Sequence, residues 1–237
     1  KAPSPASPPS PPSAASGHYS RRSVLQYNSA ISRNEGLAPY SATALPGGRV
    51  YAADANGDKL LLFERVAVTA SGPAFNVRPV FGLGHPSSVC CAVPADVRSG
   101  SYDDESTCML YVTDRSRGAP RILGVPMTLD GREVGSRRLS FGPDQRLPDP
   151  QELAVSADGR ALFVSDTTMH AVIELDARTL GFVQAIGGAG VLDTPYGLAT
   201  CGGELYVAEQ GAHRISVFAR AAGGLEWERT RQIGARG

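Results

Sequence analysis

An all-β fold of short antiparallel sheets, stacked flank to flank, is what this sequence predicts. Three observations predict it. Glycine and proline number 27 and 18 of 237 residues, which supplies the turns that short strands need. A 13-residue segment recurs as Tyr51 to Phe63 (YAADANGDKLLLF), Phe163 to Leu175 (FVSDTTMHAVIEL) and Tyr206 to Phe218 (YVAEQGAHRISVF). A fourth copy, Tyr111 to Val125 (YVTDRSRGAPRILGV), carries two extra residues. Finally, every copy lies between a proline-led apolar run and a strand ending in glycine.

The elements follow in order. Each unit opens at a proline: PYSATAL from Pro39, PSSVCCAV from Pro86, PQELAV from Pro150 and PYGLAT from Pro195. These runs read as first strands, closed by turns such as Leu45-Pro46-Gly47-Gly48, Ser156-Ala157-Asp158-Gly159 and Cys201-Gly202-Gly203. A second strand opens on the aromatic residue and ends at an acid: Asp54, Asp114, Asp166 or Glu209. A tight turn leads to a third strand, such as Arg214 to Phe218, and a fourth ends in VRPVFG, RRLSFG, FVQAIG or RQIG. Alternating apolar positions give each sheet two faces to bury. One four-stranded unit cannot bury both, so several must stack radially, as a β-propeller of four visible blades.

These units resemble NHL repeats, whose pattern runs roughly Pro-x-Gly-Ile-Ala-Val, then Tyr-Val-Ala-Asp, then Arg-Ile-x-x-Phe. The last unit, PYGLATCGGELYVAEQGAHRISVF, matches best. The resemblance covers about residues 38–237 and implies an NHL-type propeller with one blade per repeat, in units of about 38–82, 83–142, 143–188 and 189–237. Unit two departs by a long insertion, unit one lacks the glycine after Pro39-Tyr40, and Glu209 replaces the usual Asp. Propellers close with about 4–8 blades, and NHL relatives commonly have six. Ser23-Val24-Leu25-Gln26-Tyr27 reads as the outer strand of a preceding blade. The expectation is therefore a partial or excised propeller over 23–237, with a compact four-bladed ring as the alternative.

Residues 1–22 read as an extended tail or linker. Six prolines fall in KAPSPASPPSPP, a run that cannot bury apolar surface. The segment also resembles hydroxyproline-rich glycoprotein modules of algal and plant cell walls. That resemblance implies hydroxylation and O-glycosylation at Pro3, Pro5, Pro8, Pro9, Pro11 and Pro12.

Charge excludes some partners. Lys+Arg and Asp+Glu both number 23, so the formal net charge is zero. Neutrality, with no arginine cluster facing an aromatic array, disfavours nucleic acid. No stretch reaches the ~18 apolar residues of a membrane span. Of the four cysteines, Cys90, Cys91, Cys108 and Cys201, none has zinc-site spacing with histidines. A bridge from Cys91 to Cys108 would staple the intervening polar loop and fits a secreted chain; reduced, half-buried thiols are the other reading.

Few residues carry candidate chemistry. Asp54, Asp114, Asp166 and Glu209 occupy one position of every repeat, which points to capping the turn after the second strand. His170 and His213 fall at equivalent turn positions, seven residues after the aromatic, but two imidazoles lack a third metal ligand. They are taken, with Arg115 and Arg117, as binding-surface candidates. Peptidyl-hydroxyglycine lyases carry Pro-His pairs for zinc, where this chain has Tyr40, Ser87, Gln151 and Tyr196. Gluconolactonase-type propellers hold a central metal with Glu, Asn and Asp, and the four asparagines here form no such cluster. The reading is a non-enzymatic, extracellular or cell-surface module with no catalytic residue, metal or cofactor, contacting protein or glycan and able to self-associate. A lyase or lactone hydrolase, and an intracellular protein- or RNA-binding scaffold, are the alternatives.

Overall fold

A computed structural model describes residues 39–45, 48–69, 72–93, 107–135, 138–142, 147–221 and 224–234. The tail prolines Pro3 to Pro12, the Ser23–Tyr27 strand and insertion residues 94–106 lie outside them. The described residues form four four-stranded antiparallel sheets, each a simple meander. The first blade contains β1 (Pro39–Ala44), β2 (Val50–Asp54), β3 (Lys59–Thr69) and β4 (Gly72–Gly82). The second contains β5 (Pro86–Ala92), β6 (Thr107–Asp114), β7 (Arg121–Thr128) and β8 (Leu139–Phe141). In the third, β9 (Pro150–Val155), β10 (Ala161–Asp166), β11 (Ala171–Asp176) and β12 (Phe182–Gly187) follow. The last holds β13 (Pro195–Cys201), β14 (Glu204–Glu209), β15 (Arg214–Arg220) and β16 (Trp227–Ile233).

The first strands β1, β5, β9 and β13 are the inner strands, each touching the next along the series. Their register explains the proline. Pro39, Pro86, Pro150 and Pro195 pair with Asp54, Asp114, Asp166 and Glu209, at the start of an edge strand where a missing N–H costs little. Immediately after each proline the register shifts. Such a bulge turns the following side chains away from the regular alternation.

Three apolar clusters fill the seams between blades. Tyr51, Leu60 and Leu62 of blade one pack on Leu110, Val112, Leu123 and Val125 of blade two. Tyr111, Ile122 and Phe141 meet Leu162, Val164 and Ile173. Phe163, Val172 and Ile186 meet Leu205, Val207 and Phe218. In blades one to three the repeated aromatic therefore faces the following blade, and burying each such side chain contributes about 1.5–3 kcal/mol.

Two equivalent tyrosines separate packing from hydrogen bonding. Tyr111 donates its hydroxyl to the Ala177 carbonyl at 2.5 Å, whereas the buried Tyr51 hydroxyl has no partner among the described residues. Tyr111→Phe should therefore cost about 1–3 kcal/mol, and Tyr51→Phe should be neutral or stabilising. Urea unfolding midpoints of the two variants check this directly.

Candidate functional site

The end of the blades at which the prolines enter carries the four recurring acids, Arg115, Arg117, His170 and His213, while Cys91 and Cys108 lie at the opposite end of blade two. The recurring acids are buried there: Asp54, Asp114 and Asp166 at 0% exposure and Glu209 at 2%. Asp114 Oδ1 accepts the backbone N–H of Gly84 at 3.0 Å and of Ser116 at 3.3 Å, and Oδ2 meets the Arg121 guanidinium at 3.0 Å. Glu209 accepts from the N–H of Asp193 at 2.8 Å, from Arg214 Nε at 2.8 Å and from Ser216 Oγ at 2.5 Å. Asp166 accepts the N–H groups of Asp149 and Met169, both at 2.9 Å. Each of these three carboxylates thus ties the loop before the blade-entry proline to its own blade.

An arginine at the head of the third strand separates Asp114 and Glu209 from Asp166 in how they ionise. Burial works to raise the Asp114 carboxyl, but Ser116, Arg121 and the Gly84 N–H outweigh it and hold it below the usual carboxylate range. Glu209 is held low against the same desolvation by Arg214, Ser216 and the Asp193 N–H. At Asp166 the third strand opens on Ala171 instead of arginine, and desolvation, helped by the Asp149 charge, raises the carboxyl despite the backbone N–H groups of Asp149, Met169 and Thr168.

The basic candidates differ in their freedom. Arg115 is paired with Asp149 at 2.5 Å, while Arg117 is exposed in the turn between β6 and β7. His170 and His213 have φ values of 53° and 51°, and Asp58 holds the same place in blade one at 50°. The left-handed position before the third strand favours Asp, Asn and His among residues with a side chain. That preference accounts for the aligned histidines without a ligand. His170 Nδ1 also accepts the Thr194 N–H at 3.4 Å, and His213 is exposed. Among the described residues no three His, Cys, Asp or Glu side chains group as a metal site.

The inner strands reveal a cluster that sequence reading missed. After each bulge the second residue past the proline is Ser41, Ser88, Glu152 or Gly197. Ser88 Oγ donates to Glu152 Oε1 at 2.6 Å, and Ser41 Oγ lies 3.4 Å from the same oxygen. Ser165 Oγ accepts the Glu152 N–H and donates to the Tyr196 carbonyl at 2.6 Å. One hydroxyl-rich chain of bonds thereby joins all four inner strands around a single half-buried carboxylate. A Glu where neighbouring repeats have Ser was the available signal. The donor set of one carboxylate and two hydroxyls does not fit a tightly bound cation, which needs more charged oxygen ligands.

Glu174 is the other acid that breaks the repeat. Its place opposite Phe163 is Leu62 opposite Tyr51 in blade one and Val217 opposite Tyr206 in blade four. Glu174 is 2% exposed and bound by Arg220, by Trp227 Nε1 at 2.9 Å and by Gln184 Nε2 at 2.8 Å. Glu174, Arg220 and Trp227 wall a cavity of about 530 Å³ between blades three and four.

All four cysteines stand as free thiols in this structure, the second of the two states the sequence left open. Cys91 and Cys108 nevertheless lie within hydrogen-bonding reach, and that bond, with burial, pushes the Cys91 thiol well up. The residues after the prolines divide: Ser87 and Gln151 are buried, while Tyr40 and Tyr196 are 61% and 39% exposed.

Comparison with known proteins supports the architecture. No family model and no curated protein matches the sequence. Among solved structures, the periplasmic gluconolactonase of Pseudomonas aeruginosa is similar at a TM-score of 0.59 and 19% identity. The match covers 84% of this chain and 55% of that one, so the chain spans about half of that protein's length. A chain of the nidogen/laminin complex is similar at a TM-score of 0.51 and 16% identity, over 83% of this chain and 80% of that one. The fold is a β-propeller with four described blades. No helix among the described residues is long and apolar enough to cross a membrane.

Proposed function

We propose that this chain is a non-enzymatic interaction module of NHL type, working outside the cell or at its surface. The observation that carries this reading is the division of the rim. Asp114, Asp166, Glu209, Arg115 and His170 are engaged within the chain, while Tyr40 and Tyr196 stand exposed beside them. Aromatic side chains presented on a rigid scaffold suit contact with a protein or glycan. The tail serves as a spacer, hydroxylated and O-glycosylated at Pro3, Pro5, Pro8, Pro9, Pro11 and Pro12, and oxidation joins Cys91 to Cys108. In that oxidation a disulfide-bearing oxidant takes up two electrons and two protons. Intact mass of the natural material, before and after reduction, reads both modifications.

The test of the binding surface uses the full chain and a panel of immobilised extracellular-matrix glycoproteins and glycans. At least one should retain the wild type and lose about tenfold in affinity when Tyr40 and Tyr196 are both alanine. A panel that is not bound, or is bound equally by the variant, overturns the reading. Glu152 favours one second reading, hydrolysis of a lactone with that carboxylate as general base for water. The similar solved gluconolactonase shares its fold with this chain, which is compatible with that reading.

A further inference from the structure

The seam between blades three and four is closed differently from the two before it. Opposite the repeated aromatic stand Leu62, Gly124 and Val217 in the other blades, and Glu174 here. Tyr111 spans its seam by donating to the Ala177 carbonyl, but Phe163 has no hydroxyl, and Arg220 holds the place of Ala177 in blade four. The Arg220 guanidinium turns to Glu174 and lies 5.1 Å from the centroid of the Trp227 ring. Glu174 is 2% exposed, and a buried ion pair is a poor seam filler, since apolar residues of the same volume hold as well or better. Here the pair borders the cavity of about 530 Å³, at the end of the blades away from the blade-entry prolines.

We infer that this cavity binds a single neutral sugar residue. Its volume lies in the range of small-molecule sites, about 300–1,000 Å³. Phe163, Leu175, Val183 and Trp227 give it apolar walls, which suit the C–H face of a sugar ring. Its polar side chains include both acceptors and a donor, and hydroxyl groups use both. The acceptors are Asp158 and Asp176, each tied through Oδ1 to a nearby hydroxyl, Ser156 Oγ at 2.6 Å and Thr179 Oγ1 at 2.8 Å. The donor is Arg160, which is exposed and whose guanidinium bonds no side chain among the described residues. Charge selects a neutral ligand. Glu174 is neutralised by Arg220 and Glu204 by Arg231. Of the charges that remain on the walls, a cation would meet Arg160, and an anion would meet Asp158 and Asp176. The site lies at the opposite end of the blades from Tyr40 and Tyr196, so it is independent of the contact assigned to that rim.

Trp227 is the only tryptophan of the chain, so its fluorescence reports on this wall. Titration of the full chain with glucose, galactose, xylose and arabinose should give a saturable change for at least one of them, in the millimolar range. Arg160→Ala with Asp158→Asn should weaken that binding at least about tenfold, with the circular dichroism spectrum unchanged. Arg160→Ala alone, a change at one exposed position, should act in the same direction. Alanine at both Tyr40 and Tyr196 should leave the titration as it is, which separates this site from the rim. No saturation by any of these sugars, or saturation by methylammonium or inorganic phosphate instead, overturns the inference. So does equal binding by the Arg160 and Asp158 variant, or a loss of binding in the tyrosine variant.

Discussion

Asp114→Ala is expected to destabilise the chain by about 3–5 kcal/mol, because it strips a buried carboxylate from two backbone N–H donors and a guanidinium. Glu209→Ala should cost a similar amount, since Arg214, Ser216 and the Asp193 N–H converge on it. Asp166→Asn should cost under about 1 kcal/mol. The asparagine oxygen still accepts one N–H, and no cation loses its partner. The acid response carries the sign. Asp114 and Glu209 have folded values below their ordinary ones, so their stabilisation is present above the ordinary carboxyl range and is lost as pH falls through it. Asp166 is raised, so its contribution is unfavourable at neutral pH and is relieved as pH falls through that raised value. Denaturation between pH 7 and pH 3 should show a shallower acid loss in Asp114→Asn and Glu209→Gln. It should show a steeper loss in Asp166→Asn. Parallel slopes in all three would refute the assignment of the cations.

Phe163→Ala is the second large effect, at about 3–5 kcal/mol. The ring is 1% exposed and meets Trp227 edge to face, with centroids 5.4 Å apart. It closes the seam between blades three and four beside a cavity of about 530 Å³, so its loss enlarges a void that the walls cannot fill. Against a typical stability of 5–15 kcal/mol, the variant should be close to unfolding at 37 °C. Trp227→Ala should cost less, because the indole is already half-exposed. Guanidinium unfolding measures both, and equal small losses would mean that the seam is not closed by this ring.

Much of this fold was legible because its chemistry repeats. Pro39, Pro86, Pro150 and Pro195 mark edge-strand starts, and the aromatic and the acid bracket every second strand; local pattern and turn chemistry suffice to see this. What escaped depends on geometry between units. The bulge after each proline brings Ser41, Ser88 and Glu152 together from three blades, and no single repeat contains that convergence. Glu174 gains its meaning from Arg220 and Trp227, 46 and 53 residues downstream. The aligned histidines misdirect for the opposite reason. A backbone φ near 50° at His170 and His213 selects the residue type, and that cause is invisible in a list of potential ligands.

Turnover tests the central claim most directly, because the account makes this propeller a contact surface and not a catalyst. The full chain and its Glu152→Gln variant should be incubated with glucono-1,5-lactone, with and without added calcium or zinc, and acid release followed continuously. Both should match the uncatalysed rate under every condition. Saturable hydrolysis by the wild type that falls to background in Glu152→Gln would contradict that claim and make the Glu152 carboxylate a catalytic base.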